Sequence, residues 1–565
     1  MKILSVYPWT HISSSALMID GKIVAGSPEE RFNKIKYSTA FPIKSAEWCL
    51  KTNNLKWEDL DLIVVPWNPM HNINHANGRW DSTMTWRGQM LSHIPTNIMR
   101  AIKGLAAKEM ETSFGQTRIL YLNHHDCHAA SAIYCSPFNS CDYLTIDGHG
   151  EVETCTSGTF MNKKIKKNSF VLYPHSVGLF YGSLTNFLGF RPDQDEWKTM
   201  ALASSSKSKN IYDKKMQKLF KLTKKGFELD LSYFDYYLFD KRPDFYNNKF
   251  VEEFGQPRIP GSKLVSKHSE IAGALQRAFE KIVFHLLEIV KKKGSRSNNL
   301  VLAGGAAMNC VFNGLLDKKK IYKNNFIPPW PDDLGVTIGA LYLANQKYGA
   351  KKIEPKRLRS AYLGPSFNDK EILETLKKFK VKYKKPKNLF SYTANKIAKK
   401  KLIGWFQGKM EFTHRALGNR SILADPRGKS IQKIINSAVK YRESFRPFAP
   451  AVLEEDASKI FDLKKNMKID FMEKAVEVKK DWRNKIPAVT HIDNTARVQT
   501  VSKSYNPSFY NLIKEFKNQT GVPVVVNTSF NLNGQPIVLD PSDAIKTFYT
   551  CGLDILVIGP YVIEK

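Results

Sequence analysis

Cysteine is scarce in this 565-residue chain: there are seven, Cys49, Cys127, Cys135, Cys141, Cys155, Cys310 and Cys551, and no Cys-x-x-Cys pair. An odd, scattered set excludes a disulfide framework and a cysteine zinc site as organising devices, and predicts a reducing, cytoplasmic home. Long apolar runs are missing too. No stretch reaches the roughly 18 uncharged apolar residues of a membrane helix, so no membrane span is expected. The opening MKILSVYPWT carries one lysine and then a short β-rich run; it reads as a first strand rather than a secretory leader. A Walker A loop, a Rossmann Gly-x-Gly-x-x-Gly, an internal repeat and a low-complexity tract are all absent. Acidic residues are short: 53 Asp and Glu face 86 Lys and Arg, a net charge of +33. Such a field favours phosphate-rich partners, whether nucleotides, nucleic acid or anionic glycans. The lysine runs at 163–167, 291–293 and 399–401 lack interleaved aromatics. A solvated lysine surface is therefore the plainer reading, and a nucleic-acid or other polyanionic substrate the alternative.

An apolar share of 42% and an aromatic share of 12% belong to a folded protein, and the length predicts two to four domains. Apolar, β-branched runs at 61–65, 118–122, 142–146 and 299–303 alternate with helical patterns. Ile271, Leu275, Ala278, Ile282, Leu286 and Val290 recur at helical spacing before a lysine run and Gly294, which predicts a long amphipathic helix. This alternation predicts an α/β fold. The polar, basic stretch YGAKKIEPKRLRS predicts a boundary near 350–360, giving domains at 1–353 and 359–565. Further strand-like runs follow at 402–406, 522–526 and 553–558.

The densest chemistry of the first half is NHHDCHAASA, residues 123–132. His124 and His128 lie four apart and share one face of a helix. Asp147 ends an apolar run and opens DGHGE, and Asp333 precedes a glycine at a helix start. Two imidazoles and two carboxylates suit Fe(II), Mn or Zn rather than Mg or Ca. A helix cap remains open for Asp333, and a core or cap role for the histidines. Glycine-rich turns at 147–151 (Gly148, Gly150) and in AGGAAMN at 303–309 (Gly304, Gly305, Asn309) each follow a β run. There, backbone amides can approach phosphates, or simply close a tight turn. The second half is rich in cations: Arg415, Arg420, Lys440, Arg442, Arg446 and Arg497 are candidates to clamp phosphate or a carboxylate-like group. Asn527, Thr528, Ser529 and Asn531, after a strand, are candidate donors to ribose or phosphate.

In this order, HISSSALMIDGKIVAGSPEERFNKIKY, NHHDCHAASA, DGHGE, SVGLFYGSLTNFLGF, DEWKTMALA, AGGAAMN, EFTHRALGNRSILADPR, NSAVKYRESFRPFAPAVLEE, TARVQTV and VVNTSFNLNGQPIV resemble the NodU/CmcH family of carbamoyltransferases over essentially the whole chain. The resemblance implies an N-terminal actin-like ATPase (ASKHA) domain, similar to the protein that transfers threonylcarbamoyl to tRNA, and a C-terminal YrdC-like α/β domain. It implies a metal, often iron, on His124, His128, Asp147 and Asp333, with His11 and Lys36 near the transfer site. It also implies that Arg415, Lys440, Arg446, Arg497 and Ser529 bind phosphates and the carbamoyl group. The expected substrates are ATP with Mg, carbamoyl phosphate and a hydroxyl-bearing acceptor, joined through carbamoyl-adenylate. Three places depart from the family pattern: Ile12 where HDAS has an acid, Trp197 within Glu196-Trp197-Lys198, and Thr413-His414 in place of Gly-Pro. A non-catalytic nucleotide-binding protein of actin-like fold is the competing class, and the second-half cation set argues against it. A hydrogenase-maturation enzyme would need cysteine-rich zinc modules and an acylphosphatase segment, and neither is visible.

Overall fold

The computed structural model describes residues 1–8, 11–68, 109–111, 118–206, 209–237, 244–295, 297–440 and 446–565. The chain folds into two units that are not two continuous stretches. The first holds Met1–Glu29, Thr39–Asn309 and Leu315–Leu358; the second holds Arg359–Lys565 together with Glu30–Ser38 and Cys310–Gly314.

The first unit is built on two sheets of repeated topology. In one, β1 (Lys2–Tyr7), β2 (Ser14–Ile19) and β3 (Lys22–Pro28) form an antiparallel meander. On the other side of β1, β4 (Leu62–Val65) and β6 (Arg118–Tyr121) run parallel to it, and β5 (Glu109–Glu111) closes the edge, in the order 3-2-1-4-6-5. In the second sheet β7 (Cys141–Ile146), β8 (Glu153–Met161) and β9 (Lys164–Leu172) form the meander. A hairpin of β10 (Phe220–Thr223) and β11 (Gly226–Leu229) intervenes in the chain. Then β12 (Asn299–Ala303) and β13 (Asn324–Phe326) lie parallel beside β7, giving 13-12-7-8-9. The same five-strand pattern, with the same orientations, thus occurs twice. The duplication is one of topology, so no sequence repeat betrays it. β7 is buried at every position, as a strand covered on both faces must be.

Each sheet's last parallel strand feeds a helix: His124–Cys135 after β6, and Asp333–Tyr348 after β13. These two helices touch through small residues. A side chain at Gly339 would stand 1.8 Å from the Cys127 carbonyl oxygen, and one at Gly335 would stand 2.9 Å from Ser131 Oγ. The predicted long helix spans Ser266–Lys293, is buried along Ile271, Leu275, Ile282 and Leu286, and ends at Gly294.

The second unit centres on a seven-stranded mixed sheet, ordered 19-16-20-15-14-21-22. Its strands are β14 (Ile403–Phe406), β15 (Arg420–Ala424), β16 (Ala449–Leu453), β19 (Gln499–Val501), β20 (Val524–Ser529), β21 (Ile555–Ile558) and β22 (Tyr561–Glu564). A separate two-stranded ribbon pairs β17 (Ala475–Glu477) with β18 (Thr495–Arg497). Trp405, Leu423, Val452, Val525 and Leu556, all on the seven-stranded sheet, lie in the buried core of this unit. Among the described residues no helix is long and apolar enough to cross a membrane, and all seven cysteines are buried thiols.

Candidate metal and transfer site

In open α/β sheets ligands gather beyond the carboxyl ends of the parallel strands, where the strand order reverses. The first unit follows this rule. His124 is the first residue of its helix, Asp333 is the first residue of the topologically equivalent helix, and Asp147 directly follows β7. Their ligand atoms and that of His128, one turn into its helix, all lie within 4.8 Å of one another, and all four residues are buried. His124 Nε2 and His128 Nε2 are 3.1 Å apart, and each faces Asp147 Oδ2, at 3.2 and 2.9 Å. Asp333 Oδ1 stands 3.5 and 3.7 Å from the same two nitrogens.

The surroundings fix these groups. Asp147 divides its carboxylate: Oδ1 accepts the backbone N–H groups of Gly148 (2.8 Å) and Gly305 (3.1 Å), leaving Oδ2 for the histidines. A Cβ at Gly305 would sit 2.9 Å from Asp147 Oδ1, close enough to push the carboxylate from its place. Gly304, at φ +89, would bring a Cβ 2.1 Å from the Ile146 carbonyl oxygen. The His124 Nδ1 faces the Pro66 carbonyl at 3.3 Å; a proton there leaves the Nε2 lone pair pointing inward. Glu151 accepts the His124 backbone N–H at 3.0 Å, tying down the helix start. Tyr7, at the end of β1, donates to Asp333 Oδ2 at 3.1 Å and stacks on His124.

Burial is the largest single influence on these charges and opposes all of them. Hydrogen bonds and attraction between imidazoles and carboxylates outweigh it, holding both histidines above their ordinary range and both carboxyls below theirs. Two nitrogens 3.1 Å apart with a shared carboxylate oxygen need positive charge between them. A divalent ion meets that need with four donors of the right chemistry, so the residues fit a mixed N/O transition-metal site.

The glycine amides expected to cradle phosphate have protein partners. Besides Gly148 and Gly305, Gly150 N–H donates to Glu153 O at 2.7 Å and Gly304 N–H to Pro331 O at 2.6 Å. Asn309 exchanges amide hydrogen bonds with Gln276, at 2.9 and 3.2 Å. His11 sits partly exposed in the turn between β1 and β2. Lys36 belongs to the second unit, with its ammonium 5.0 Å from the Tyr37 ring centroid.

In the second unit, Lys440 ends the helical turn Asn436–Lys440 and is buried, with its ammonium against Ser529 at the end of β20. Its ammonium donates to Asn531 Oδ1 (2.7 Å), Asn531 O (2.9 Å) and Ser529 Oγ (3.3 Å). Arg415 donates to the carbonyls of Phe471 (3.1 Å) and Met472. Arg497 ends β18 opposite Ala475. Asn527 is fully buried and bridges Ala416 O (3.1 Å) to Gln499 Oε1 (2.8 Å), a shaping role for the loop after Arg415. Arg420 is also fully buried, bound to the carbonyls of Gln407 (2.6 Å) and Pro365 (3.1 Å) and stacked 3.6 Å over Phe406. Burial lowers its pKa to about 10. Arg446 is buried and Arg442 lies outside the described residues. Sequence reasoning missed Tyr7, whose partner lies 326 positions away, and Glu411. The buried Glu411 carboxylate accepts the N–H groups of Leu417 (2.8 Å) and Asn419 (2.9 Å) and so templates the Arg415 loop.

Residues 2–342 match the model for the carbamoyltransferase N-terminus, and residues 394–565 that for the carbamoyltransferase C-terminus. Nodulation protein NolNO of Sinorhizobium fredii is 35% identical over 567 residues, covering 98% of this chain and 79% of the relative. An uncharacterized protein of Synechocystis is 34% identical over 613 residues, covering 100% and 96%. The 3'-hydroxymethylcephem-O-carbamoyltransferase of Amycolatopsis lactamdurans is 30% identical over 296 residues, covering 52% and 54%. With both halves matched and a whole-length relative above 30% identity, this chain belongs to the carbamoyltransferase family and is a transferase.

Proposed function

We propose that this enzyme is an ATP-dependent O-carbamoyltransferase that works through carbamoyl-AMP. Carbamoyl phosphate and water give carbamate and phosphate. Carbamate displaces pyrophosphate from ATP to give carbamoyl-AMP, and an acceptor hydroxyl then takes the carbamoyl group and releases AMP. Carbamate is a weak electrophile because its own lone pairs feed the carbonyl, and the adenylate supplies a good leaving group.

The second unit is the proposed site of adenylation. Arg415, Lys440, Arg446 and Arg497 would neutralise the departing pyrophosphate, a form of preorganised charge stabilisation. Lys440 already gathers Ser529 and Asn531 around one ammonium, which would present them to the nucleotide.

The first unit is the proposed site of transfer. A divalent transition metal, with iron(II) the family expectation, would be held by His124, His128, Asp147 and Asp333 and would supply Lewis-acid polarisation of the carbamoyl carbonyl. The chain's own part is orientation: the Gly148 and Gly305 amides aim Asp147, and Tyr7 aims Asp333. His11 would accept the proton of the acceptor hydroxyl. The observation that carries this reading is the convergence of His124, His128, Asp147 and Asp333 in a chain that matches both halves of the family.

The test is a panel of hydroxylated sugars and natural products incubated with the enzyme, ATP, Mg and labelled carbamoyl phosphate. An acceptor that gains the label as an O-carbamate supports the reading. Label passing instead to an amine, or to nucleic acid in preference to small hydroxyl acceptors, overturns the proposed acceptor class.

A further inference from the structure

Two short segments from the N-terminal part of the chain are built into the second unit, and both end on the support of Arg415. In Glu30–Ser38, Arg31 is 1% exposed. Its guanidinium pairs with the equally buried Glu30 at 2.7 Å and donates to the carbonyl of Thr413 at 3.1 Å, two residues before Arg415. Phe32 packs on Met410, Ile537 and Leu539, and Lys34 pairs with Asp543, so the segment is seated along its length. In Cys310–Gly314, Asn313 donates to the Glu473 carbonyl at 2.9 Å. Gly314 lies so close that any Cβ would meet the Ala475 carbonyl oxygen at 1.9 Å. The stretch from 471 to 475 in turn accepts Arg415 through the carbonyls of Phe471 and Met472, and places Ala475 opposite Arg497. Met472 holds φ 58, a left-handed backbone that a β-extended alternative would not reproduce.

We propose that Arg31 is a positioning residue for adenylation: it holds the 413–415 turn from one side while Asn313 and Gly314 hold the 471–475 turn from the other, so that Arg415 and Arg497 are fixed by pieces of chain drawn from upstream of residue 359. This rests on the adenylation reading given above. The physical reason is economical. A long arginine can clamp phosphate only if its backbone is held, and a fully buried guanidinium forked between a carboxylate and a main-chain carbonyl is a rigid way to hold one. The arrangement also means that residues 359–565 alone lack part of their own Arg415 support.

The experiment uses the full-length enzyme. Carbamoyl-AMP formation from ATP and carbamoyl phosphate is measured as a function of each substrate, and transfer to acceptor is measured separately from supplied carbamoyl-AMP. Arg31→Gln should raise KM for ATP and carbamoyl phosphate roughly tenfold, the worth of one charge-assisted hydrogen bond, with transfer from supplied carbamoyl-AMP unchanged. Arg31→Lys keeps the charge beside Glu30 but has no second arm for Thr413, and should show the same rise. Asn313→Ala, which removes a single neutral hydrogen bond, should move KM in the same direction and serves if both Arg31 variants fail to fold. Wild-type KM values in Arg31→Lys would reduce the role to charge balance for Glu30. Equal loss of both half-reactions would reduce it to general stability. Either result overturns the proposal. Failure of the wild-type enzyme to form carbamoyl-AMP would instead overturn the adenylation reading itself.

Discussion

Gly339 carries no ligand atom, yet it should control the candidate metal site. It lies on the helix Asp333–Tyr348, and a Cβ there would stand 1.8 Å from the Cys127 carbonyl oxygen of the helix His124–Cys135. Ordinary van der Waals contact begins at 3.4 Å, so Gly339→Ala must part the helices by about 1.6 Å. One helix carries Asp333 and the other His124 and His128, at present 3.5 and 3.7 Å apart. The same separation would take Asp333 out of reach of an ion held by the histidines. Overpacking of this kind costs about 1–3 kcal/mol of stability, and displacing a reacting group by about 1 Å can cost roughly 100-fold in rate. The assay is metal content of the purified variant by elemental analysis, beside thermal melting and transfer from supplied carbamoyl-AMP. The expected outcome is a folded protein with a lowered Tm, depleted metal and transfer down by about two orders of magnitude, with adenylate formation retained. Full metal occupancy with wild-type transfer would refute the claim that the helix–helix contact sets the site.

Three further outcomes follow from the same geometry. His128→Ala removes the nitrogen 2.9 Å from Asp147 Oδ2; metal content and transfer should fall together, by more than the roughly 10–100-fold that losing an outer-shell partner costs, with adenylate formation spared. Arg497→Ala should slow adenylate synthesis by about 10²–10³, and added carbamoyl-AMP should restore transfer in this variant but not in His128→Ala. Burial pushes the Glu473 carboxyl up to about 7 from an ordinary 4.5. The folded state therefore keeps a proton that the unfolded state loses, and stability declines as pH rises from about 4.5 to 7, by an amount on the order of 3 kcal/mol. Glu473→Gln should melt with the wild type at pH 4 and above it at pH 8. Parallel melting curves across that window would show that the carboxyl is not held protonated by burial.

Much of the fold was legible because its signals are local. The β-branched runs at 61–65, 142–146 and 299–303 became β4, β7 and β12, and the spacing from Ile271 to Val290 became a helix of 28 residues ending at the expected glycine. The i, i+4 pairing of His124 and His128 places both on one helical face whatever surrounds them, and Asp147 at a strand end could face them once the sheet formed. What was not legible depends on long-range approach. That Tyr7 reaches Asp333 is a contact between the end of β1 and a helix start 326 positions away, which leaves no trace in residue identity. The glycine turns read as candidate phosphate cradles because glycine permits close approach; that the Gly148 and Gly305 amides also hold the Asp147 carboxylate is visible only once the sheet has formed. The cation set was visible as composition. Its division into Arg420, whose guanidinium binds main-chain carbonyls, and Lys440, gathered with Ser529 and Asn531, required the β15–β20 register. Nor does any periodicity announce that Glu30–Ser38 folds with residues 380 positions downstream, since a buried Arg31 reads in sequence as one more surface cation.

Activation by adenylation leaves a signature in the nucleotide products. Purified wild-type enzyme, given ATP, Mg and carbamoyl phosphate without acceptor, should release pyrophosphate and accumulate carbamoyl-AMP detectable by mass spectrometry; adding an acceptor should convert that pool to AMP and O-carbamate. ADP as the sole nucleotide product, with no pyrophosphate released, would contradict the account.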